Sequence, residues 1–224
     1  MNFADGISKK PARSTRAMYP SIPRRVLIAT QNAGKVREFR RLLKGLAAQF
    51  LGLDELPSVP PPSEDGSTFL DNARIKARYY SQHFGEFALA DDSGLVVDAL
   101  NGAPGVHSAR YGGDELSDED RTDLLLSRMS DVPRENRTAR FVCVVVVCDP
   151  KLRDDFLHAQ GTVEGRIAFE KRGVNGFGYD PVFVPHGERR TTAEMGSEEK
   201  DRLSHRGSAI RAIAPALERL LLGG

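Results

Sequence analysis

The segment RRVLIATQNAGKVREF, residues 24–39, decides the fold class because it joins a predicted strand directly to a predicted helix. Residues 26–29 are all apolar, which predicts a short buried strand. After Gly34 the apolar residues recur at helical spacing, at Val36, Phe39, Leu42, Leu43 and Leu46. A polar turn that carries Lys35 separates the two elements, so the sequence predicts a strand–turn–helix unit.

Three further segments have the apolar spacing of helices, and they are residues 67–84, 117–129 and 204–222. Thr68, Ser117 and Ser204 stand at their starts and are predicted to cap them. Pro215 interrupts the apolar stripe of the last helix. Between the first two predicted helices, residues 56–66 are rich in proline and too polar for either regular state.

Strand patterns occupy much of the remaining sequence. Residues 86–100 are predicted to form two strands around an acidic turn, and residues 161–169 to form another strand. Residues 139–149, ARFVCVVVVCD, are apolar on both faces, which predicts a central strand covered on both sides. Its two cysteines, Cys143 and Cys148, would point to opposite faces, so we expect buried free thiols and no disulfide. These patterns predict a mixed, twisted α/β sheet with flanking helices.

The composition limits the classes of function. The chain has 224 residues, with 32 Lys and Arg against 31 Asp and Glu, and its formal net charge is +1. This balance argues against a protein that binds a long nucleic acid. No apolar run approaches the roughly 20 residues of a membrane span, so we expect no membrane partner. Residues 1–24 lack periodicity and are predicted to be a flexible tail before a single domain, residues 25–224.

The turn after the first strand, residues 30–35, has two possible interpretations. It is not a Walker loop, because Ala29 stands where the first glycine is required and Val36 where Ser or Thr should follow the lysine. A helix start nevertheless presents free backbone N–H groups and a positive dipole end, and Lys35 adds a full charge. The turn is therefore either a phosphate-binding site or an ordinary helix start.

The tripeptide Asp91-Asp92-Ser93 is the second candidate for chemistry. Two adjacent carboxylates after an apolar run are costly to bury unless a cation compensates them. A Mg²⁺ ion, which prefers oxygen ligands, is one such cation, and Glu64 upstream is a further ligand candidate. The alternative is a solvated turn, since Asp and Ser are ordinary turn residues. The spacing favours neither interpretation.

Two segments near the C-terminus complete the candidates. Phe177 and Tyr179 lie in a glycine-rich loop that either presents a ring to a flat ligand or buries both rings in the core. Lys200, His205 and Arg206 cluster at the start of the last helix. Cations there oppose the helix dipole and require anionic or polar partners, unless they form a solvated face.

Six separated motifs, taken in order, resemble the inosine triphosphate pyrophosphatase family, whose members are also called XTP/dITP diphosphatases. The motifs are ATQNAGKVREF, SEDGSTFLDNARIKAR, ALADDSGLVVDAL, GAPGVHSARYGG, GFGYDPVF and AEMGSEEKDRLSHRG, and the resemblance runs from Val26 to about Leu220. It implies a fold of two lobes around a central substrate groove. It also implies a cytoplasmic enzyme, a homodimer and Mg²⁺ as cofactor.

The resemblance further implies roles for individual residues. Asp92 and Asp91 match the catalytic residues, Asp92 as the proton acceptor and Asp91 as its acidic neighbour, while Glu64 and Asp92 match the Mg²⁺ ligands. The remaining matches are substrate-binding residues: Thr30, Gln31, Asn32, Ala33, Gly34, Lys35, Lys76, Ser93, Phe177, Gly178, Tyr179, Asp180, Lys200, His205 and Arg206.

The implied reaction is attack of water on the α-phosphorus of ITP, dITP or XTP, which gives a nucleoside monophosphate and pyrophosphate. Two alternatives stay open: a pyrophosphatase for other modified nucleotides, and a nucleotide sensor without activity. The presence of Lys35 together with Glu64, Asp91 and Asp92 argues against the sensor, which does not need hydrolytic carboxylates.

Overall fold

The structure, a computed structural model, describes residues 23–152 and 156–222. Its strands form one mixed sheet and are β1 Arg24–Ile28, β2 Ala48–Gly52, β3 Phe87–Val97, β4 Thr138–Cys148, β5 Phe156–Ile167 and β6 Phe183–Pro185. Their order across the sheet is β2-β1-β3-β4-β5-β6. β1 runs parallel to both of its neighbours, whereas β3 to β6 pair antiparallel. The predicted mixed α/β sheet is confirmed.

The start of β1 bears on the predicted N-terminal tail. Arg24, which was assigned to that tail, is the first residue of β1 and pairs with Ala48 of β2. Residues 1–22 lie outside the described part of the chain, so the tail itself stays a prediction.

The α-helices that the structure describes flank the sheet, and they are α1 Ala33–Leu42, α2 Phe69–Phe84, α3 Asp118–Arg128, α4 Ser197–Leu203 and α5 His205–Leu222. The three predicted caps are confirmed. Thr68 Oγ1 accepts from the Asp71 amide, Ser117 Oγ from the Asp120 amide and Ser204 Oγ from the Gly207 amide. The interruption at Pro215 does not end a helix, because α5 continues through it.

The prediction of two strands across residues 86–100 was wrong, because β3 is one continuous strand. Asp91 and Asp92 lie in its middle, opposite Val145 and Val144 of β4. Both are buried, with exposed fractions of 0% and 7%. A solvated turn is therefore excluded at this place, and cations on each side of the sheet compensate the two charges, as described below.

β4 is the central strand that its composition predicts, since β3 and β5 pair along both of its edges. Its cysteines are buried free thiols on opposite faces, as expected. Cys143 belongs to the core that α1 and α5 cover, and Cys148 to the core that α2 covers. Helix α5 approaches the sheet closely at Gly161 of β5, where a Cβ atom would lie 2.1 Å from the His205 carbonyl oxygen.

A third core lies beyond the first two and forms the second lobe. It joins Leu95 and Val97 of β3 to Leu125 of α3 and Phe183 of β6. Strand β3 therefore passes from one lobe into the other, because Leu89 belongs to the first core. The crossing places Asp92, Ser93 and Gly94 at the junction, where they line an open cleft.

Candidate active site

A cavity of about 410 Å³ opens between the two lobes. Its walls include most of the residues that the sequence singled out: Thr30, Gln31, Asn32, Lys35, Glu64, Lys76, Asp92, Ser93, Phe177, Gly178, Tyr179, Asp180, Lys200, His205 and Arg206. Ala33, Gly34 and Asp91 do not line it. Ala33 faces a second cavity beside the first, and the other two are buried behind the wall. The fold thus brings together segments that are up to 176 positions apart in the sequence, from Thr30 to Arg206.

The N-terminus of α1 forms one wall. Asn32 is the N-cap, and its Oδ1 accepts from the Lys35 amide at 3.0 Å. The other amides of this first turn have no intrahelical acceptor, and the helix dipole makes the turn a favourable place for an anion. Lys35 Nζ lies 3.0 Å from Asp91 Oδ2, so the lysine side chain is held at the wall by a buried carboxylate.

Gly34 explains why this turn and the glycine-rich loop meet. A Cβ atom at Gly34 would lie 2.6 Å from the Phe177 ring, so only glycine lets the ring rest on the α1 turn. Phe177 is half-buried and lines the cavity, with Lys200 Nζ 4.8 Å from its ring centroid. Tyr179 is instead buried in the third core, and its hydroxyl donates to the Ser108 carbonyl. The loop therefore presents one ring and buries the other.

Asp91 and Asp92 point to opposite sides of β3, as successive residues of a strand must. Asp91 Oδ2 accepts from Arg206 at 3.0 Å and from Lys35, on the side of the first core. Burial alone would raise the pKa of Asp91, but Lys35 and Arg206 hold that pKa far below its usual range. The same burial raises the pKa of the neighbouring Cys143 thiol, so this thiol stays protonated.

Asp92 faces the cavity and shares a cation with Glu64. Lys76 Nζ lies 2.6 Å from Glu64 Oε2 and 3.2 Å from Asp92 Oδ1. Asn72 Nδ2 is 3.4 Å from the other oxygen of Asp92. Burial raises the pKa of Asp92, and the charge of Asp91 adds to this effect against the opposing influence of Lys76 and Lys35. The result is a carboxylate that is more basic than an exposed aspartate.

A buried chain of ion pairs fills the region behind Phe177. Glu38 contacts Lys200 Nζ at 2.8 Å and also pairs with Arg206, while Lys200 Nζ lies 2.5 Å from Asp180 Oδ2. Arg206 also donates to Ser93 Oγ at 2.9 Å. All these charged residues are at most 6% exposed, which excludes the solvated face considered for the last helix. Lys200 lies in α4 and not at the start of the last helix, where it was predicted, whereas Arg206 does lie in the first turn of α5. Both cations have the anionic partners that the dipole argument requires.

His205 is buried beside this chain and stacks on Phe141, with ring centroids 4.7 Å apart and an angle of 9° between the planes. Burial, followed by the charges of Arg206 and Lys200, lowers the pKa of His205 well below its usual value. The imidazole is therefore neutral at physiological pH and can both donate and accept a hydrogen bond.

Sequence reasoning missed Glu38, Asn72 and Phe141. Glu38 follows Lys35 by three residues, so both side chains lie on one helix face, and this spacing was the available signal. Asn72 links the loop before α2 to β3, because its Oδ1 accepts from the Gly66 amide. Nothing in the sequence around Phe141 distinguishes it from the other apolar residues of β4.

Glu64 and Asp92 are suited to a divalent cation that also binds phosphate. Both carboxylates contact one ammonium group, so their oxygens converge on a common point. Mg²⁺ commonly takes one or two carboxylates and completes its shell with water and substrate phosphates. No group of three or more His, Cys, Asp and Glu side chains suited to a metal occurs in residues 23–152 and 156–222. The donor set therefore fits a shared Mg²⁺ site better than a cage built from protein alone.

The fold and the cavity define an α/β protein whose interlobe cleft combines cations, an unsolvated carboxylate and an aromatic ring. The chain belongs to the Ham1 family, whose model matches residues 26–216. None of the helices in the described segments is both long and apolar enough to cross a membrane.

Curated relatives and solved structures agree with this assignment. A dITP/XTP pyrophosphatase of Symbiobacterium thermophilum is 53% identical over 197 residues, which cover 88% of this chain and 95% of that protein. A dITP/XTP pyrophosphatase of Exiguobacterium sibiricum is 44% identical, over 88% of this chain and 98% of that protein. The structure of a HAM1 protein from Coxiella burnetii matches with a TM-score of 0.79 and 42% identity, over 87% of this chain and 98% of that one.

Proposed function

We propose that this chain is a Mg²⁺-dependent pyrophosphatase that hydrolyses ITP, dITP and XTP to the nucleoside monophosphate and pyrophosphate. It would thereby remove deaminated purines from the nucleotide pool. One observation carries the proposal: a single cavity joins the cations Lys35 and Lys76 and the basic carboxylate Asp92 to the ring of Phe177 and the buried cation Lys200. These features match a triphosphate, a scissile phosphorus and a purine base in turn. The names of the relatives support dITP and XTP as substrates.

The reaction forms a bond between a water oxygen and the α-phosphorus and breaks the bond to the departing pyrophosphate. Asp92 accepts the proton of the water, because its carboxylate faces the cavity in which the phosphorus would lie. A positioned general base contributes about 10²–10⁴-fold to the rate. Lys35 and Lys76 stabilise the charge that develops on the leaving pyrophosphate.

Mg²⁺, when bound by Glu64 and Asp92, would neutralise phosphate charge that otherwise repels the attacking water. Asp91 has a different task in this proposal. It does not line the cavity, and it is fixed by Lys35 and Arg206. We therefore assign it as a positioning residue, in place of the catalytic role that the family resemblance suggested.

Base selection follows from the polarity of hydrogen bonds. Hypoxanthine and xanthine carry an acceptor at position 6, which Lys200 or Arg206 can satisfy with a donor. Adenine presents an amino group there, and a site built for one hydrogen bond rejects the wrong partner by about 10⁴–10⁵ in favourable cases. Guanine shares the 6-oxo group, so its rejection requires a mismatch near its 2-amino group.

The experiment that tests the proposal is pyrophosphate release from ITP, dITP, XTP, GTP, ATP and dUTP, with and without Mg²⁺. We expect metal-dependent turnover confined to the first three. Turnover of another nucleotide would retain the chemistry and overturn the account of the base pocket, whereas binding of ITP without turnover would favour a sensor.

The general base is tested with Asp92→Asn, which should abolish turnover while the protein stays folded. Asp98→Asn is the matched control, because Asp98 directly follows β3 and forms an exposed pair with Arg140 of β4 at 3.0 Å, outside the cavity lining. Near-normal rates in Asp92→Asn would remove Asp92 from the mechanism. A homodimer, a cytoplasmic location and the absence of a nucleic-acid partner stay part of the proposal.

A further inference from the structure

The ammonium group of Lys76 bridges the two carboxylates of the proposed metal site. It contacts Glu64 Oε2 at 2.6 Å and Asp92 Oδ1 at 3.2 Å, and the lysine is 9% exposed. A lysine ammonium carries a full positive charge at physiological pH, and here it lies between two carboxylates. A monovalent cation of the protein thus occupies the point on which both carboxylates converge.

We propose that Lys76 and the divalent cation compete for Glu64 and Asp92, and that metal loading transfers the Lys76 ammonium from the carboxylates to the triphosphate. This inference rests on the proposed function, because it concerns the metal site of that reaction. The ammonium of Lys76 would occupy the metal site while no metal is bound and would contact phosphate once the metal is bound, and we call this the placeholder role of Lys76.

The geometry indicates that the Lys76 ammonium and the metal ion exchange at this site and do not occupy it together. A Mg²⁺ ion binds oxygen at about 2.0–2.1 Å, so a cation held by the two facing oxygens would lie within contact distance of the ammonium nitrogen. Three positive charges would then face two negative ones in a partly buried space, where repulsion is less screened than in bulk water. The flexible four-carbon stem of lysine lets the ammonium leave without moving the helix that carries it.

The surroundings of Lys76 support its release. Lys35 is held by Asp91 on the other side of β3, so it does not follow the metal exchange. Asp92 keeps a contact with Asn72 at 3.4 Å, and Arg110 donates to the Glu64 carbonyl at 3.1 Å. The Asp92 carboxylate therefore keeps a second partner when the ammonium departs, and the backbone of Glu64 stays held by Arg110. The freed charge stays in the cavity that Lys76 already lines.

Competition predicts that removing the ammonium strengthens metal binding in the absence of nucleotide. The test is calorimetric titration of the full chain with Mn²⁺, which accepts the same oxygen ligands as Mg²⁺. Lys76→Met, which keeps an unbranched apolar stem and removes the ammonium group, should bind Mn²⁺ about tenfold more tightly than the unmodified protein, a coupling typical of interacting sites. Lys76→Arg retains the charge and should bind no more tightly than the unmodified protein.

Lys171→Met is a matched control for the loss of a lysine that bridges two carboxylates. Lys171 Nζ contacts Glu119 at 3.0 Å and Asp123 at 2.8 Å on the surface, away from the cavity lining. This variant should leave the Mn²⁺ affinity unchanged. Circular dichroism of each variant establishes that the fold is retained before the titrations are compared.

Mn²⁺ binding by folded Lys76→Met that is equal to or weaker than binding by the unmodified protein would overturn the inference. An absence of Mn²⁺ binding in both the variant and the unmodified protein would also overturn it, because removing the ammonium would then free no metal site. The titration contains no nucleotide, so its result is independent of substrate turnover. Metal-dependent turnover of ITP without a gain in affinity would reject the placeholder role alone. A gain in affinity without turnover of any nucleotide would reject the proposed function alone.

Discussion

Replacing Asp91 by asparagine removes the one negative charge that holds Lys35 and Arg206 together. The side chain of Asp91 is 0% exposed and that of Arg206 is 1% exposed, so water cannot compensate the loss. Removing one partner of a buried pair costs about 3–5 kcal/mol of the free energy of unfolding. We expect about 3 kcal/mol here, at the lower end of that range, because the asparagine oxygen still accepts one hydrogen bond and Glu38 still pairs with Arg206.

Urea denaturation followed by circular dichroism measures this cost. With a denaturant slope of about 2 kcal/mol per molar, the unfolding midpoint of Asp91→Asn should fall by about 1.5 M. The exposed pair of Asp98 and Arg140 supplies the comparison, since Asp98→Asn should lose at most about 1 kcal/mol and about 0.5 M. Equal midpoint shifts in the two variants would refute the claim that Asp91 anchors a buried network.

Three further predictions address the base pocket and its charges. Gly34→Ala should displace the Phe177 ring, because the added Cβ would lie 2.6 Å from it. The KM for ITP should then rise about tenfold, and an unchanged KM would exclude the ring from substrate binding. Glu38→Gln replaces the carboxylate that Lys200 and Arg206 share with a neutral amide. The ratio of kcat/KM for ITP to kcat/KM for ATP should fall by about tenfold or more, and an unchanged ratio would contradict a role of Glu38 in base recognition. The pKa of His205 is depressed in the folded state, so below about pH 6.5 only the unfolded state takes up a proton on this residue. As the pH is lowered below about 6.5, the free energy of unfolding should therefore decrease by up to about 1.4 kcal/mol per pH unit. An equal dependence of the free energy of unfolding on pH in His205→Gln would show that His205 is not its source.

The regular elements were largely accessible from the sequence because their signals are local. Apolar spacing identified α2 and α3, and the side chains of Thr68 and Ser117 marked their first residues. The error at β3 has a physical cause. Adjacent aspartates are unfavourable in an isolated strand, and only cations that arrive from α1, α2 and α5 make a continuous buried strand possible.

The site could be predicted only in part from the sequence. The resemblance to a family identified the motif residues, but it did not show how their side chains lie relative to one another. Nothing local indicates that Gly34 supports Phe177 or that Glu38 joins Lys200 to Arg206. These partners are more than 140 positions apart in the sequence, from Gly34 to Phe177 and from Glu38 to Lys200. Ion pairs of this kind depend on the fold bringing distant helices to the same face of the sheet.

Local features of the sequence identified the class of this protein: a mixed α/β sheet, a central apolar strand and a set of motifs that agree with the Ham1 family. Those features follow from apolar periodicity and residue identity, which the chain carries locally. Which carboxylate faces the cavity, in contrast, depends on how distant elements pack in the folded protein. Asp91 and Asp92 are neighbours of the same chemical type, but the two sides of β3 meet different cations. Lys35 and Arg206 hold Asp91 in the first core. Asp92 and Glu64 share the ammonium group of Lys76 at the cleft.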